Sequence, residues 1–222
     1  MHSYPLKHRN GHLFVEVEGE LWLLDTGSPL SFGKNTTIAL AGQPFNINSS
    51  FHGLAAAALL EAIGVPCAGL LGGDVLDKFD HLLEVESGRL TLSTDTLEHS
   101  GESIPLEPLM GVPVVKAQVR GNEFRMFFDT GAQLSYFQSP MLTQFPSLGS
   151  FTDFYPGIGN FSTETYEVPL SLGAVTTTLR CGVLPTLLGT ALNLANVQGI
   201  IGIEMLLNRK VGYFPRQRRL VL

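Results

Sequence analysis

Leu23-Leu24-Asp25-Thr26-Gly27-Ser28 decides the fold of this chain, because a matching segment, Phe127-Phe128-Asp129-Thr130-Gly131-Ala132, follows in its second half. Each copy runs from two apolar residues into Asp-Thr-Gly and then into a small residue. At average residue usage, two copies in the same frame are hard to attribute to chance. Two equivalent turns can bring two carboxylates together, so that the pair shares one proton and activates a water molecule. We therefore interpret Asp25 and Asp129 as a catalytic pair.

The repetition extends along most of the chain, in segments that keep the same order in both halves. Insertions in hairpin turns explain why the spacing between them drifts. The matching segments are Ser3-Tyr4-Pro5-Leu6 with Ser103-Ile104-Pro105-Leu106, Leu70-Leu71-Gly72 with Ile200-Ile201-Gly202, and Arg89-Leu90-Thr91-Leu92 with Arg219-Leu220-Val221-Leu222.

This repetition divides the chain into two units. The stretch between them is rich in Asp, Glu, Ser and Gly, which is typical of a linker. We predict an N-terminal lobe over residues 1–92, a linker over 93–102 and a C-terminal lobe over 103–222.

Composition and local pattern predict an all-β protein. The 222 residues include 24 Gly and 13 Pro, which indicates many turns, and 44% are apolar. Short apolar runs around Gly-containing turns predict hairpins over 13–24 and 112–128. Short helices are predicted over 54–63 and 187–193, where the sequence has helix-forming residues and lacks internal Pro.

The same composition argues against several other classes of protein. A net charge of -6 at pH 7 does not favour a nucleic-acid surface. No run approaches the about 18 apolar residues that a membrane span needs. The polar start Met1-His2-Ser3 is unlike a signal peptide, which predicts a cytoplasmic location. The six His residues lack metal-ligand spacing, so we expect solvated or capped side chains, no metal and no cofactor.

The order of these motifs resembles the repeating lobe of the retropepsin and pepsin group of aspartic proteases. The resemblance implies two closed-barrel lobes that face each other across a pseudo-twofold axis, with one Asp from each at the interface. Retropepsins build this pair from two identical short chains, whereas here one chain carries both copies. The resemblance therefore implies a monomer that acts on a peptide or protein substrate.

The resemblance also implies roles for the residues after each Asp. Thr26 and Thr130 would hydrogen-bond across the axis and lock the two turns. Gly27 and Gly131 would leave room for the turns and for backbone N–H donation to the carboxylates.

The fourth position of each motif predicts a difference between the two carboxylates. The hydroxyl of Ser28 could bind the outer oxygen of Asp25, whereas Ala132 cannot do the same for Asp129. The pattern does not decide which carboxyl carries the proton.

A long insertion in the second unit follows directly after Asp129, where the family has its flap hairpin. We predict a flap over about 151–168 on the second lobe and none on the first, with an ordinary polar loop as the alternative. Gly residues allow positive φ angles and close approach to a substrate backbone. The residues predicted to bind substrate are Tyr155, Gly157, Ile158, Gly159 and Phe161.

The function expected from these motifs is that of an aspartic endopeptidase with a water nucleophile and no covalent intermediate. Phe154, Ile158 and Phe161 favour bulky apolar side chains beside the cut. Because the pair must keep its shared proton, activity should peak below neutral pH. Three alternatives stay open: a non-catalytic peptide-binding module with the same fold, a lobe pair that must dimerise or be processed first, and two turn-forming Asp residues at strand ends.

Overall fold

The computed structural model describes residues 1–155 and 158–222, and most of them form β-strands. The strands of the first half are β1 (His2–Arg9), β2 (His12–Val17), β3 (Glu20–Leu24), β4 (Phe32–Gly33), β5 (Thr37–Leu40), β6 (Gln43–Asn46), β7 (Ser50–Phe51), β8 (Leu54–Ala55), β9 (Gly69–Leu71), β10 (Asp80–Glu84) and β11 (Arg89–Ser93). Those of the second half are β12 (Ser103–Pro105), β13 (Glu107–Leu109), β14 (Val112–Val119), β15 (Asn122–Phe128), β16 (Ser135–Phe137), β17 (Ser147–Tyr155), β18 (Gly159–Leu172), β19 (Val175–Gly182), β20 (Gly199–Ile201), β21 (Lys210–Phe214) and β22 (Arg219–Val221).

The helices are short and lie between strands. The α-helices are α1 (Ala56–Ile63), α2 (Gly73–Leu76) and α3 (Thr186–Leu194), and the 3-10 helices are Pro140–Gln144, Ile203–Leu206 and Pro215–Gln217. Helix α1 ends at Gly64, which adopts the left-handed conformation at φ 67° and donates its N–H to Leu60 O. In the described part of the chain, no helix is long and apolar enough to cross a membrane.

Two large sheets contain most of the strands. The first has ten strands in the order β12-β22-β21-β10-β11-β1-β2-β3-β9-β4, and the second has eight in the order β13-β14-β15-β20-β16-β19-β18-β17. The ten-stranded sheet thus combines strands from both halves of the chain, with β10 paired to β21. The lobe limits 1–92 and 103–222 and the linker 93–102 stay predictions.

The two halves repeat the same strand arrangement around each Asp-Thr-Gly turn. Strand β3 runs parallel to β9, and β15 runs parallel to β20. Strand β4 then pairs antiparallel to β9 with Phe32 opposite Leu70, and β16 pairs antiparallel to β20 with Tyr136 opposite Ile200. These four residues therefore occupy equivalent places in the two halves.

Alternating burial explains why these segments form sheets. In β14 the side chains of Val115, Ala117 and Val119 are buried, whereas Lys116 and Gln118 between them are exposed. The strand thus presents one apolar face to the interior. The predicted hairpins are confirmed, and so are the two predicted helices, observed as α1 and α3.

The apolar interior has three parts. The largest cluster draws on both halves, including Leu13, Leu71, Val115 and Ile201. Two smaller clusters lie one in each half, around Phe14, Leu23, Phe32, Leu59, Val65 and Leu70 and around Leu134, Tyr136, Leu184 and Ile200.

Candidate active site

The two sheets bring the Asp-Thr-Gly turns together from equivalent strand ends. Asp25 follows β3 and donates its backbone N–H to Leu71 O at 3.0 Å. Asp129 follows β15 and donates its backbone N–H to Ile201 O at 3.0 Å. Each turn therefore starts at the same point relative to the neighbouring parallel strand, β9 or β20.

The Thr residues link the two turns through four buried hydrogen bonds. Thr26 N donates to Thr130 Oγ1 at 3.1 Å, and Thr130 N donates to Thr26 Oγ1 at 3.0 Å. Each hydroxyl then donates across the interface, Thr26 to Phe128 O at 2.7 Å and Thr130 to Leu24 O at 2.9 Å. Since both Thr side chains act as donor and acceptor, neither turn can shift without breaking bonds of the other.

The Gly residues bring each turn against the opposite carboxyl. A Cβ atom on Gly27 would overlap the carboxyl group of Asp129, and a Cβ atom on Gly131 would overlap that of Asp25. Both positions therefore exclude any side chain. The two carboxyls lie within hydrogen-bonding distance of each other.

Backbone donors surround the two carboxyls unequally. Oδ1 of Asp129 accepts N–H groups from Gly131 at 2.8 Å and from Ala132 at 3.2 Å. Oδ1 of Asp25 accepts the N–H of Ser28 at 2.9 Å. The protein backbone therefore stabilises a negative charge on Asp129 better than one on Asp25.

The Ser28 side chain does not make the bond that the sequence suggested. Its hydroxyl donates to Leu30 O at 2.8 Å, and only its backbone N–H binds Asp25. The turn folds back after Ser28, which brings the carbonyl of Leu30 within hydrogen-bonding distance of the hydroxyl. The difference between the carboxyls therefore comes from the backbone.

The surroundings raise the pKa of both carboxyls. Burial raises the pKa of Asp25 well above its ordinary value, and the charge of Asp129 raises it further. Burial also raises the pKa of Asp129, but the N–H groups of Gly131 and Ala132 oppose this. One proton is therefore retained on the pair at pH values where a solvated Asp has lost it.

A cleft of about 460 Å³ opens over the pair. Its walls are largely apolar side chains, which come from both halves and which the sequence motifs did not identify. These wall residues include Phe32, Phe51, Leu54, Leu70, Tyr136, Phe161, Leu184 and Ile200.

Strands β17 and β18 form the hairpin predicted as a flap, and their pairing runs from Ser147 to Tyr166, so it starts before the predicted 151–168. Tyr155 and Phe161 line the cleft, while Ile158 is exposed near the tip and Gly159 pairs with Tyr155. Burial and then the charges of the aspartate pair raise the pKa of Tyr155. Gly157 lies outside the described residues.

The first half also contributes a short hairpin to the cleft. Strands β7 and β8 place Phe51, His52 and Leu54 in its wall. This hairpin comes after β5 and β6 and is not the equivalent of the β17–β18 hairpin. At the equivalent position in the first half, the chain passes directly from β4 to β5. Because each strand has only two residues, the sequence carried no alternating pattern to predict it.

Besides His52, four polar residues at the cleft were missed by sequence reasoning: His12, Gln133, Tyr136 and Asp153. His12 is buried, and its Nδ1 lies 3.0 Å from Gly131 O in the other half. His12 is therefore capped and not solvated, and so is His81, which is buried within the ten-stranded sheet with its Nε2 against Leu76 O. No local motif marks these four, because strands distant in sequence bring them together. Within residues 1–155 and 158–222, no group of three or more His, Cys, Asp or Glu could hold a metal ion.

Comparison with known proteins adds evidence on the fold. No protein-family model and no curated protein matches the chain. Among solved structures, an aspartic proteinase from Irpex lacteus matches with a TM-score of 0.55 and 13% sequence identity, covering 99% of this chain and 96% of that one. Similarity at this identity speaks for the fold alone. The chain therefore has the two-lobed, all-β fold of the pepsin-like proteins.

Proposed function

We propose that this protein is an aspartic endopeptidase in which Asp25 and Asp129 activate a water molecule between them. The observation that carries the proposal is the pair of hydrogen-bonded turns, which presents two carboxyls at the floor of a cleft. The pKa values of both carboxyls are raised. A fold of this kind serves many functions, so the argument rests on the site and not on the likeness.

The unequal surroundings of the carboxyls suggest a role for each. Asp129 accepts two backbone N–H groups, which favours its charged form, whereas Asp25 keeps the shared proton. In the first step, Asp129 takes a proton from water, the water oxygen attacks the scissile carbonyl carbon, and Asp25 donates its proton to the carbonyl oxygen. When the tetrahedral intermediate collapses, Asp129 gives its proton to the leaving nitrogen and the C–N bond breaks. Asp25 recovers its proton from a hydroxyl group of the intermediate as the new carboxyl group forms.

The cleft supports a substrate bound in extended form between the halves. Its apolar walls favour bulky apolar side chains next to the cut, and the β17–β18 hairpin closes one side. Because one chain supplies both carboxyls, the proposal includes a monomeric active enzyme. Under this proposal, activity needs neither a second copy of the chain nor processing.

The proposal is tested by incubating the protein with a mixed peptide library between pH 4 and 7. We expect cleavage that Asp25→Asn, Asp129→Asn and a statine-type inhibitor each abolish, with an activity maximum below neutral pH. Asp95→Asn is the matched control, since Asp95 is exposed and is not part of the cleft lining.

The other outcomes separate the alternatives. Binding of statine peptides without cleavage would support the non-catalytic peptide-binding module. Activity that survives in Asp25→Asn, or a maximum above about pH 8, would exclude a carboxyl pair as the catalyst. Activity found only in a dimeric fraction would contradict the monomer.

A further inference from the structure

The pseudo-symmetry places two equivalent residue pairs in the wall of the cleft, one from each half, and we call the part of the cleft beside each pair its pocket. In the first half the paired residues are Phe32 and Leu70, and in the second half they are Tyr136 and Ile200. All four line the cleft. At the aromatic position the two pairs differ by a polar group: Tyr136 has a hydroxyl where Phe32 has only a hydrogen.

That hydroxyl belongs to a polar group with Asp153 at its centre. Tyr136 donates its hydroxyl to Oδ2 of Asp153. Gln133 Nε2 donates to Oδ1 at 3.2 Å, and the backbone N–H of Phe154 donates to the same oxygen at 2.8 Å. Burial and the negative charge of Asp153 raise the pKa of Tyr136, so the phenol remains a donor.

All three donors to Asp153 are neutral, so its negative charge is not compensated. The side chain is half-buried, and among the described residues it has no ion pair with Lys, Arg or His. His12 lies near enough to feel this charge, but burial holds the pKa of His12 below its ordinary value. The described cleft lining contains three carboxyl side chains and no Lys or Arg. A partly desolvated charge of this kind is costly until a cation meets it.

Aromatic rings border the same pocket. Phe161 lies opposite Asp153 in the β17–β18 register, and its ring centroid is 6.1 Å from that of Tyr136. Such rings can pack along the aliphatic part of a Lys or Arg side chain while the charged end binds the carboxylate. The first-half pocket around Phe32 and Leu70 has apolar Phe51 and Leu54 beside it instead.

We infer that the second-half pocket is a specificity site for a basic side chain, with Asp153 as the residue that selects it. The preferred substrate then has Lys or Arg on one side of the scissile bond and a bulky apolar residue on the other. This inference rests on the proposed function and specifies its substrate class. The preference for a bulky apolar substrate side chain then applies to the first-half pocket alone.

The test uses matched peptides with an apolar residue on one side of the cut and Lys or norleucine on the other, in both orders. Norleucine has the same straight stem as Lys without its charge. For one order we expect wild-type kcat/KM to be about 10- to 100-fold higher with Lys. Asp153→Asn keeps the shape and the oxygen that accepts from Gln133 and from Phe154 N–H, while its new NH2 group can donate to the Tyr136 hydroxyl oxygen in place of accepting from it. Because the negative charge is removed, the variant should reduce this ratio to within about threefold. Asp95→Asn removes the same charge outside the cleft and should leave the ratio unchanged.

A binding measurement separates this inference from the proposed function. Statine peptides with Lys or norleucine at the same position are titrated into the wild type by calorimetry. If no peptide is cleaved but the Lys form binds more tightly, the specificity site stands and the catalytic proposal fails. Equal affinity, a wild-type cleavage ratio near one in both orders, or a ratio that persists in Asp153→Asn would each overturn the inference. If Asp153→Asn does not fold, the two wild-type comparisons decide.

Discussion

At the scale of single residues, the two Gly residues of the motifs tolerate no side chain. Gly27 lies against the carboxyl of Asp129, and Gly131 lies against that of Asp25. Each Gly therefore acts on the carboxyl of the other turn. A side chain at either position would overlap one of the two carboxyl groups.

We predict that Gly131→Ala lowers kcat/KM at least about 100-fold, because the new methyl group displaces the Asp25 carboxyl from its partner. Gly27→Ala, which meets Asp129 in the same way, should have a similar effect. Activity assays and statine binding measure the loss, and thermal unfolding shows whether the fold survives. A folded Gly131→Ala protein with wild-type activity would contradict the described geometry.

At the scale of elements, the two turns act as one unit because the Thr side chains bind across the interface. The hydroxyl of Thr130 accepts from Thr26 N and donates to Leu24 O, and both partners are buried. Removing this hydroxyl leaves a donor and an acceptor without partners. Replacement by Ser retains both.

We predict that Thr130→Val destabilises the protein by about 2 to 4 kcal/mol, from two unsatisfied buried groups. Thr130→Ser should stay within about 1 kcal/mol of the wild type. Urea denaturation monitored by Trp22 fluorescence gives both values. Equal stability of the Val and Ser variants would mean that the cross-linking bonds contribute nothing to the fold.

At the scale of the whole molecule, the sheet shared by both halves contains a buried ionisable group. His81 in β10 lies 2.7 Å from Leu76 O through Nε2 and packs against Tyr213 of β21, with ring centroids 5.3 Å apart. Burial lowers the pKa of His81 to about 4. The folded state therefore holds this side chain neutral at pH values where the unfolded chain protonates it.

We predict that stability falls as the pH drops from about 6.5 to about 4, because in this window the unfolded chain binds the extra proton. The protonation of His81 in the unfolded chain lowers the free energy of unfolding by about 3 kcal/mol between pH 6.5 and pH 4. His81→Gln should be less stable at pH 7 but should lose less on acidification. Urea denaturation across this range measures the difference, and parallel curves for both proteins would refute it. The same effect lowers the stability of the folded protein in the acid pH range proposed for its activity.

The sequence located Asp25 and Asp129 because each lies in a short contiguous motif. The same holds for the hairpins at Glu18-Gly19 and Arg120-Gly121, whose positive φ angles match two-residue turns. The β7–β8 hairpin was missed because a strand of two residues is too short to show an alternation of apolar and polar residues. Buried His81 was missed because burial depends on what covers a residue, and the local sequence does not record that.

By itself, the sequence determined the duplicated architecture, the β-rich content, the paired Asp-Thr-Gly turns and the β17–β18 hairpin, since these follow from local pattern and repetition. Only the tertiary structure decided that the two halves share one sheet, that backbone donors favour Asp129, and that Asp153 meets Tyr136 and Gln133 in the cleft. The physical reason is that hydrogen bonds and desolvation join residues far apart in the chain. Their strength depends on a geometry that no local pattern encodes.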